Sequence, residues 1–227
     1  MLQIRALLIN LFQQWGLPAA IRTDNGEPFG VPTRDVIPIL SLWLVAWGIK
    51  PILNRPSRPQ DNAKVESNQG TASRWAEVYK CQNLEQMQQQ LDQACLIQRN
   101  HFPVKRIGKT TRNEVFKDLY TPARPFEEAC FNEKNAYAYL AKAVYPRKVS
   151  TVGSVSIYGK PFQVGAKHKG ITVFVKFDPD NIQWLFQDQH GNLVVSISDA
   201  RFSKENLFNL TVCQRTDSLN LSVAETH

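Results

Sequence analysis

The fold of this chain is decided by two short polar stretches: Ile21-Arg22-Thr23-Asp24-Asn25-Gly26-Glu27-Pro28-Phe29 and Arg58-Pro59-Gln60-Asp61-Asn62-Ala63-Lys64-Val65-Glu66-Ser67. Asp24 follows an apolar run typical of a buried strand, and Asn25-Gly26 predicts a turn because glycine tolerates positive φ. Glu66 lies one turn into a segment that begins with Asp61-Asn62, both favoured N-cap residues. Two carboxylates placed in this way, at a strand end and on a helix flank, can converge on a divalent cation such as Mg²⁺.

Three groups of residues carry a family resemblance: Thr23-Asp24-Asn25-Gly26 with Phe29, then Gly48-Ile49, then Arg58-Pro59-Gln60-Asp61-Asn62 with Val65-Glu66. In this order and spacing they resemble the catalytic core of DDE transposases and retroviral-type integrases, in the bacterial insertion-sequence branch. The resemblance covers residues 1–80, and a weaker match continues to about residue 210. It implies part of a ribonuclease H-like fold.

The resemblance also implies a chemistry. In the family, two Mg²⁺ or Mn²⁺ ions about 4 Å apart activate a water or a 3′-hydroxyl and stabilise the leaving oxygen of a phosphodiester. Carried over to this chain, Asp24 would bind one ion and could bridge to the second, and Glu66 would bind the other. The alternatives are structural: Asp24 as an ordinary turn aspartate and Glu66 as a solvated helix residue.

One departure from the family pattern bears on activity. Residues 1–23 contain no Asp or Glu, whereas the family places its first catalytic Asp on the first strand of the core. We therefore expect the chain to be inactive alone. It would be a remnant transposase, a non-catalytic DNA-binding partner or inhibitor of a full-length transposase, or one part of an enzyme whose first strands lie on an upstream segment or a separate subunit.

Composition favours an anionic partner. The net charge is +7 and the pI is about 9.3, which is typical of proteins that bind nucleic acid, although many proteins are mildly basic. Four widely spaced cysteines without a Cys-x-x-Cys motif argue against zinc and favour free thiols in a reducing cytosol. No apolar run is long enough to span a membrane. With the resemblance, this predicts a bacterial, cytoplasmic, nucleoid-associated protein.

Hydrophobic periodicity predicts an α/β region followed by an all-β region. We expect helices at residues 2–15, 35–47, 61–79 and from 84 onward, and core strands at 19–22 and 49–53. Alternating apolar residues after about residue 149 predict short strands, similar to the small C-terminal β-barrel of Mu-type transposases. The predicted domains are a partial ribonuclease H-like integrase core, a basic helical linker, a small β-barrel and a disordered tail, at residues 1–80, 81–148, 149–210 and 211–227.

The expected partners are DNA, both mobile-element ends and target, and other protein chains. The chain would form a homo-oligomer or a hetero-oligomer with a full-length transposase, with no membrane partner. Residues 99–148 hold 11 Lys or Arg and 5 Asp or Glu, a net charge of +6. Cations here and around Glu66 would contact phosphates, which position DNA without reading its sequence; a solvated surface is the alternative. The candidate DNA-binding residues are Arg55, Arg58, Asn62, Lys64, Arg74, Lys105, Arg106, Lys109 and Arg112.

Two short strands predict a poorly covered core. The family core has five strands, three of them ahead of the first helix, and only two are expected here. The apolar side chains of the first two helices should therefore lose much of their burial, and a buried large side chain contributes about 1.5–3 kcal/mol. The affected residues would be Leu7, Leu8, Leu11, Phe12, Trp15, Trp43 and Trp47.

Overall fold

A computed structural model describes residues 2–24, 26, 28–30, 36–55, 58–122 and 124–212. Asn25 of the predicted turn, Asp35 at the predicted start of the second helix, Cys213 and most of the predicted tail lie outside these residues. The described helices are α1 Leu2–Trp15, α2 Ile39–Ala46, α3 Ala63–Trp75, α4 Leu84–Asn100, α5 Arg112–Val115, α6 Glu133–Leu140 and α7 Lys204–Asn209. The strands are β1 Ala20–Thr23, β2 Lys50–Leu53, β3 Tyr145–Lys148, β4 Ser154–Ile157, β5 Lys160–Gln163, β6 Thr172–Asp178, β7 Gln183–Gln187 and β8 Leu193–Ser198.

The chain is mixed α/β and divides into two compact units. The first contains Met1–Arg5, Thr33–Gly48 and Ala129–His227, and the second contains Ala6–Pro32 and Ile49–Glu128. Thus α2 belongs to the unit of the C-terminal strands, while β1 and β2 belong to the unit of α3, α4 and α5. The domain boundaries at residues 80, 148 and 210 stay predictions.

Two parallel strands form the sheet of the second unit. β1 pairs with β2 in parallel, with Ala20 opposite Lys50 and Thr23 opposite Leu53. The ladder continues past the strands, because the Asn54 amide donates to the Thr23 carbonyl at 2.9 Å. Both strands lie within one residue of their predicted positions. A parallel pair brings the carboxyl ends of its strands to the same edge, and this places Asp24 and Asn54 together there.

A glycine ends α1 at a close backbone contact. Gly16 has φ +75°, and a Cβ at this position would collide with the Arg124 carbonyl. The same carbonyl accepts a 2.8 Å hydrogen bond from the Leu17 amide, and the Arg124 guanidinium donates to the Pro18 carbonyl at 3.2 Å. The end of α1 is thereby fixed to a segment more than a hundred residues later in the chain.

The predicted loss of burial is wrong for the tryptophans of α2. Trp43 is 0% exposed and Trp47 is 1% exposed. Trp47 packs edge-on against Phe131, with ring centroids 5.1 Å apart, and Phe208 lies 5.9 Å from it. Later segments of the chain therefore cover α2, which the sequence alone left without neighbours.

For α1, the predicted loss of burial is wrong for Phe12 and right for Leu7 and Leu11. Phe12 is buried and its ring lies 5.9 Å from that of Phe126, so here too the predicted loss is wrong. Leu7 and Leu11, one turn apart, are 63% and 49% exposed, as predicted. The helix therefore buries one face.

The C-terminal strands form open sheets, and the prediction of a closed barrel is wrong within the described residues. An antiparallel sheet has the order β3-β6-β7-β8, and β4 pairs with β5 in a separate hairpin. Residues alternate between the core and solvent as predicted: Val173, Val175 and Phe177 on β6 are buried. Strands β3 and β8 form the two edges, because no ladder joins them to close the sheet.

A buried carboxylate organises the first unit. Asp199 is 0% exposed and accepts hydrogen bonds from Trp184 Nε1 at 3.0 Å and from Arg201 Nη2 at 2.8 Å. Arg201 also donates to the Tyr158 and Ile157 carbonyls at the β4–β5 turn, where Tyr158 and Gly159 both have positive φ. Burial raises the pKa of Asp199, but the bonds from Arg201 and Trp184 and the nearby cations outweigh burial, so the pKa is lowered.

No described helix is both long enough and apolar enough to cross a membrane.

We expect Asp199→Asn to lower the free energy of unfolding of the first unit by about 3–5 kcal/mol at neutral pH, since it leaves the Arg201 charge unpaired. Urea unfolding followed by circular dichroism measures the change. Asp180→Asn, in the exposed β6–β7 turn, is the control and should change the free energy by less than about 0.5 kcal/mol. Equal effects of the two substitutions would contradict a stabilising role for the Asp199 ion pair.

The Asp199 contribution should also depend on pH in a defined direction. Because the folded pKa is lowered, the stabilisation is complete above the unfolded pKa of about 3.9. It is lost as the pH falls through the lower pKa of the folded state. The difference in unfolding free energy between wild type and Asp199→Asn should therefore shrink below about pH 4. A difference that grows on acidification would show that the sign is wrong.

Candidate metal and DNA site

The two predicted catalytic carboxylates both belong to the second unit. Asp24 immediately follows β1 and is exposed. A Cβ added to Gly26 would lie 3.7 Å from Asp24 Oδ1, in ordinary contact. Phe29 and Gly30 donate backbone hydrogen bonds to the Gly26 carbonyl at 3.1 Å, so the chain turns directly after the strand. Asp24 thus lies at the carboxyl edge of the β1–β2 pair.

Glu66 lies in the first turn of α3, as predicted, and is exposed. Its Oε1 accepts a hydrogen bond from Asn62 Nδ2 at 3.4 Å. The predicted capping is wrong in detail: Asn62 is the N-cap residue, but its side chain makes no capping bond and instead contacts Glu66. No described side chain of α3 is buried, and a Cβ on Gly70 would meet no atom within 4 Å. The helix presents a wide polar surface.

Asp61 is the carboxylate that the sequence did not single out as part of the site. Its side chain is 8% exposed. It accepts from the Arg55 backbone amide at 3.1 Å, from Arg55 Nε at 3.0 Å and from Arg55 Nη2 at 2.6 Å. Arg22 Nη1 lies 3.8 Å from Asp61 Oδ2. The hydrogen bonds from Arg55 hold the pKa of Asp61 well below its usual range, so the carboxylate stays ionised.

Asp24 and Asn54 carry oxygen donors at the carboxyl edge of the β1–β2 pair, Glu66 carries a carboxylate on α3, and such oxygens are the donor type that Mg²⁺ prefers. Asp24 and Glu66 supply two carboxylates, which is the usual number for this ion, and waters or phosphates complete its shell. Asn54, directly after β2, is 7% exposed, and its Oδ1 accepts no hydrogen bond within the described part of the chain. Among the described residues, no three His, Cys, Asp or Glu side chains are grouped so as to hold a metal ion. By their chemistry alone, these donors suit at most a single hydrated ion.

The predicted DNA-contacting residues around Glu66 differ in whether their side chains already bind another group of the protein. Arg58, Lys64 and Arg74 are exposed, and the last two lie on α3. Asn62 is half-buried beside Glu66. Arg55 is exposed at its surface, but its guanidinium is bound to Asp61 through two nitrogens. Arg58 and Lys64 are therefore better placed than Arg55 to meet a phosphate.

A compact basic turn follows α4. The Val104 amide donates to the Thr110 carbonyl at 2.9 Å, and Thr110 Oγ1 donates to the Ile107 carbonyl at 2.7 Å. These bonds close the turn and leave Lys105, Arg106 and Lys109 exposed upon it. The structure thus brings three of the four predicted cations of this cluster into one loop held by its own backbone.

The fourth cation of the cluster has a different place. Arg112 is half-buried at the start of α5, and its Nη1 donates to the Gln98 carbonyl at 2.9 Å near the end of α4. Thr111 and Glu114 form the capping box that starts α5. Arg112 therefore joins two helices.

Exposed aromatic side chains accompany these cations, which the sequence alone did not indicate. Trp75 at the end of α3 packs edge-on against Phe102, with ring centroids 5.0 Å apart, and this contact holds the start of the basic turn against α3. Arg99 lies over the rings of both Trp15 and Tyr120. The sequence gives only a weak indication that these aromatic residues belong to a DNA-binding surface, because aromatic residues near helix ends are as often part of the protein's own packing.

Comparison of the chain with known protein families gives no match.

We expect the triple substitution of Lys105, Arg106 and Lys109 by Gln to flatten the salt dependence of duplex DNA binding. Each phosphate contact contributes about 0.9 to the slope of log affinity against log salt, so three lost contacts should reduce the slope by about 2.7. Fluorescence anisotropy at several salt concentrations measures it. An unchanged slope would identify the turn as a solvated surface.

Matched controls separate location from total charge. Replacing Lys134, Lys142 and Lys204 by Gln removes the same charge from exposed positions in the first unit and should change the slope by less than 1. Arg112→Gln should lower the stability of the α4–α5 region, because the Gln98 carbonyl loses its partner, with a smaller effect on the slope than the triple substitution.

Proposed function

We propose that this chain is a DNA-binding component of a DDE-type transposase or integrase. The ancestral reaction would be metal-dependent DNA strand transfer, and since residues 1–23 hold no Asp or Glu to match the family's first catalytic Asp, residues 1–227 alone would be inactive. One observation carries the proposal: Asp24 follows the first of two parallel strands, and Glu66 lies in the first turn of the helix that follows the second. The ribonuclease H-like core and association with the bacterial nucleoid are part of the proposal.

Mg²⁺ or Mn²⁺, when bound, would supply Lewis-acid stabilisation of a phosphodiester. The residues of the chain would hold the ion, orient a water and bind the DNA backbone. Asp24 and Glu66 would hold the ion, and Asn54 Oδ1, which is buried and accepts no hydrogen bond from the described residues, would orient a water at the carboxyl edge of β1 and β2. Exposed cations on α3 and on the basic turn would bind the DNA backbone through phosphate contacts that do not read sequence.

A second function fits a specific observation. Among the described residues, no three His, Cys, Asp or Glu side chains are grouped so as to hold a metal ion, while the basic turn is exposed. Such a chain could bind DNA without catalysis, as a partner or inhibitor of a full-length transposase. Asp24→Asn and Glu66→Gln distinguish the two functions: neither should alter DNA binding in Mg²⁺ if the site is vestigial.

We expect the purified chain to show no DNA cleavage or strand transfer in Mg²⁺ or Mn²⁺, because two carboxylates can hold one ion but the bridging position between two ions would lack its partner. An oligonucleotide assay with labelled ends tests this, and Glu77→Gln, a charge removed elsewhere on the second unit, is the control. Strand transfer by the wild type and by Glu77→Gln that is abolished in Glu66→Gln would contradict inactivity. It would also mean that another group supplies the third ligand.

A further inference from the structure

Asp61 joins three pieces of backbone, belonging to the elements that precede Asp24 and carry Glu66: the end of β1, the end of β2 and the approach to α3. Its own amide donates to the Arg58 carbonyl at 3.0 Å, and it lies two residues before α3. Its carboxylate binds the amide and guanidinium of Arg55, the second residue after β2. It also lies 3.8 Å from Arg22, on β1. One side chain therefore contacts the end of each strand and the approach to the helix.

These contacts reach the immediate neighbours of both candidate ligands. Arg22, on β1, lies two residues before Asp24. Asn62, the residue after Asp61, donates to Glu66. Asp24 and Glu66 are thus connected by a path of two side-chain contacts, Arg22–Asp61 and Asn62–Glu66, that passes through Asp61.

The same carboxylate also controls charge near the site. Arg22 and Arg55 are 52% and 69% exposed, and both are paired with Asp61. Without that partner, two cations would be free to approach Asp24 and Glu66, and either would repel a divalent cation or neutralise its ligands. Asp61 therefore keeps the arginines occupied as well as holding the backbone.

We infer that Asp61 is a positioning residue for the metal-binding carboxylates, fixing the start of α3 against the ends of β1 and β2 and holding Arg22 and Arg55 away from Asp24 and Glu66. This inference rests on the proposed function, since it assigns Asp61 a role toward that site. Partners that orient metal ligands typically change metal affinity by about 10–100-fold when removed. If Asp61 only capped α3, its replacement would leave the metal affinity of the folded protein unchanged.

The test uses Mn²⁺ alone as the probe on the full chain. Electron paramagnetic resonance of free Mn²⁺ gives the affinity, at a temperature where circular dichroism shows each variant to be folded. We expect measurable binding by the wild type, loss of it in Glu66→Gln, and binding about 10–100-fold weaker in Asp61→Asn. Glu77→Gln, which breaks the exposed 2.6 Å ion pair with Lys80 on the same unit, is the matched control and should bind as the wild type does.

A second variant covers the case in which Asp61→Asn does not fold. Arg55→Lys keeps the charge but replaces the two-nitrogen fork, so Asp61 is held less firmly. It should weaken Mn²⁺ binding in the same direction by a smaller factor. Wild-type affinity in a folded Asp61→Asn, or in Arg55→Lys if Asp61→Asn is unfolded, would overturn the inference and leave the proposed site intact.

Failure of the proposed function gives a different pattern. Absence of Mn²⁺ binding by the wild type, or equal binding by Glu66→Gln, would remove the site itself. The positioning role is then still measured by the backbone amide resonances of Asp24 and Glu66 in the metal-free protein. Both should shift in Asp61→Asn and stay in place in Glu77→Gln, and unchanged resonances would overturn the inference independently of metal.

Discussion

The contact between Asp61 and Arg55 is the interaction on which the arrangement of the second unit depends. A two-stranded parallel sheet of four-residue strands has few hydrogen bonds of its own, and the helix that follows it has no buried side chain to hold it in place. A nearly buried carboxylate that accepts three hydrogen bonds from one arginine supplies a fixed point in this otherwise exposed region. Its geometry is strongly directional, because a guanidinium presents its nitrogens in a planar fork.

In the interior of the first unit, a buried ion pair has a comparable fixing role. Asp199 is removed from solvent and paired with Arg201, whose guanidinium also caps the carbonyls of the β4–β5 turn. Around it pack the rings of Trp184, Phe202 and Tyr158. A buried charge is costly unless its hydrogen bonds are satisfied. The ion pair therefore ties the hairpin, the β-sheet and the approach to α7 to one arrangement of the aromatic core.

The elements themselves could be predicted from the sequence. Helical spacing predicted α1 and α4, and in the structure Asn83 accepts a capping bond from the Gln86 amide and Thr111 forms a capping box with Glu114 at the start of α5. Alternation located β6 and β7. These succeed because capping and periodicity depend on neighbours a few residues apart. The positions of Asp24 after a strand and Glu66 on a helix followed for the same reason.

What the sequence by itself determined is therefore local: where strands and helices begin and end, which residues carry charge, and which two carboxylates flank the strand and helix. Only the tertiary structure decided what covers α2, that the C-terminal strands form an open sheet, and that Asp61 binds Arg55 and Arg22 where an N-cap was expected. Each of these depends on groups that are distant in sequence or on a choice among several available partners. Phe131 and Phe208 lie more than eighty residues from Trp47, and no local pattern indicates such a contact, because packing is selected by the shape and burial of the whole unit.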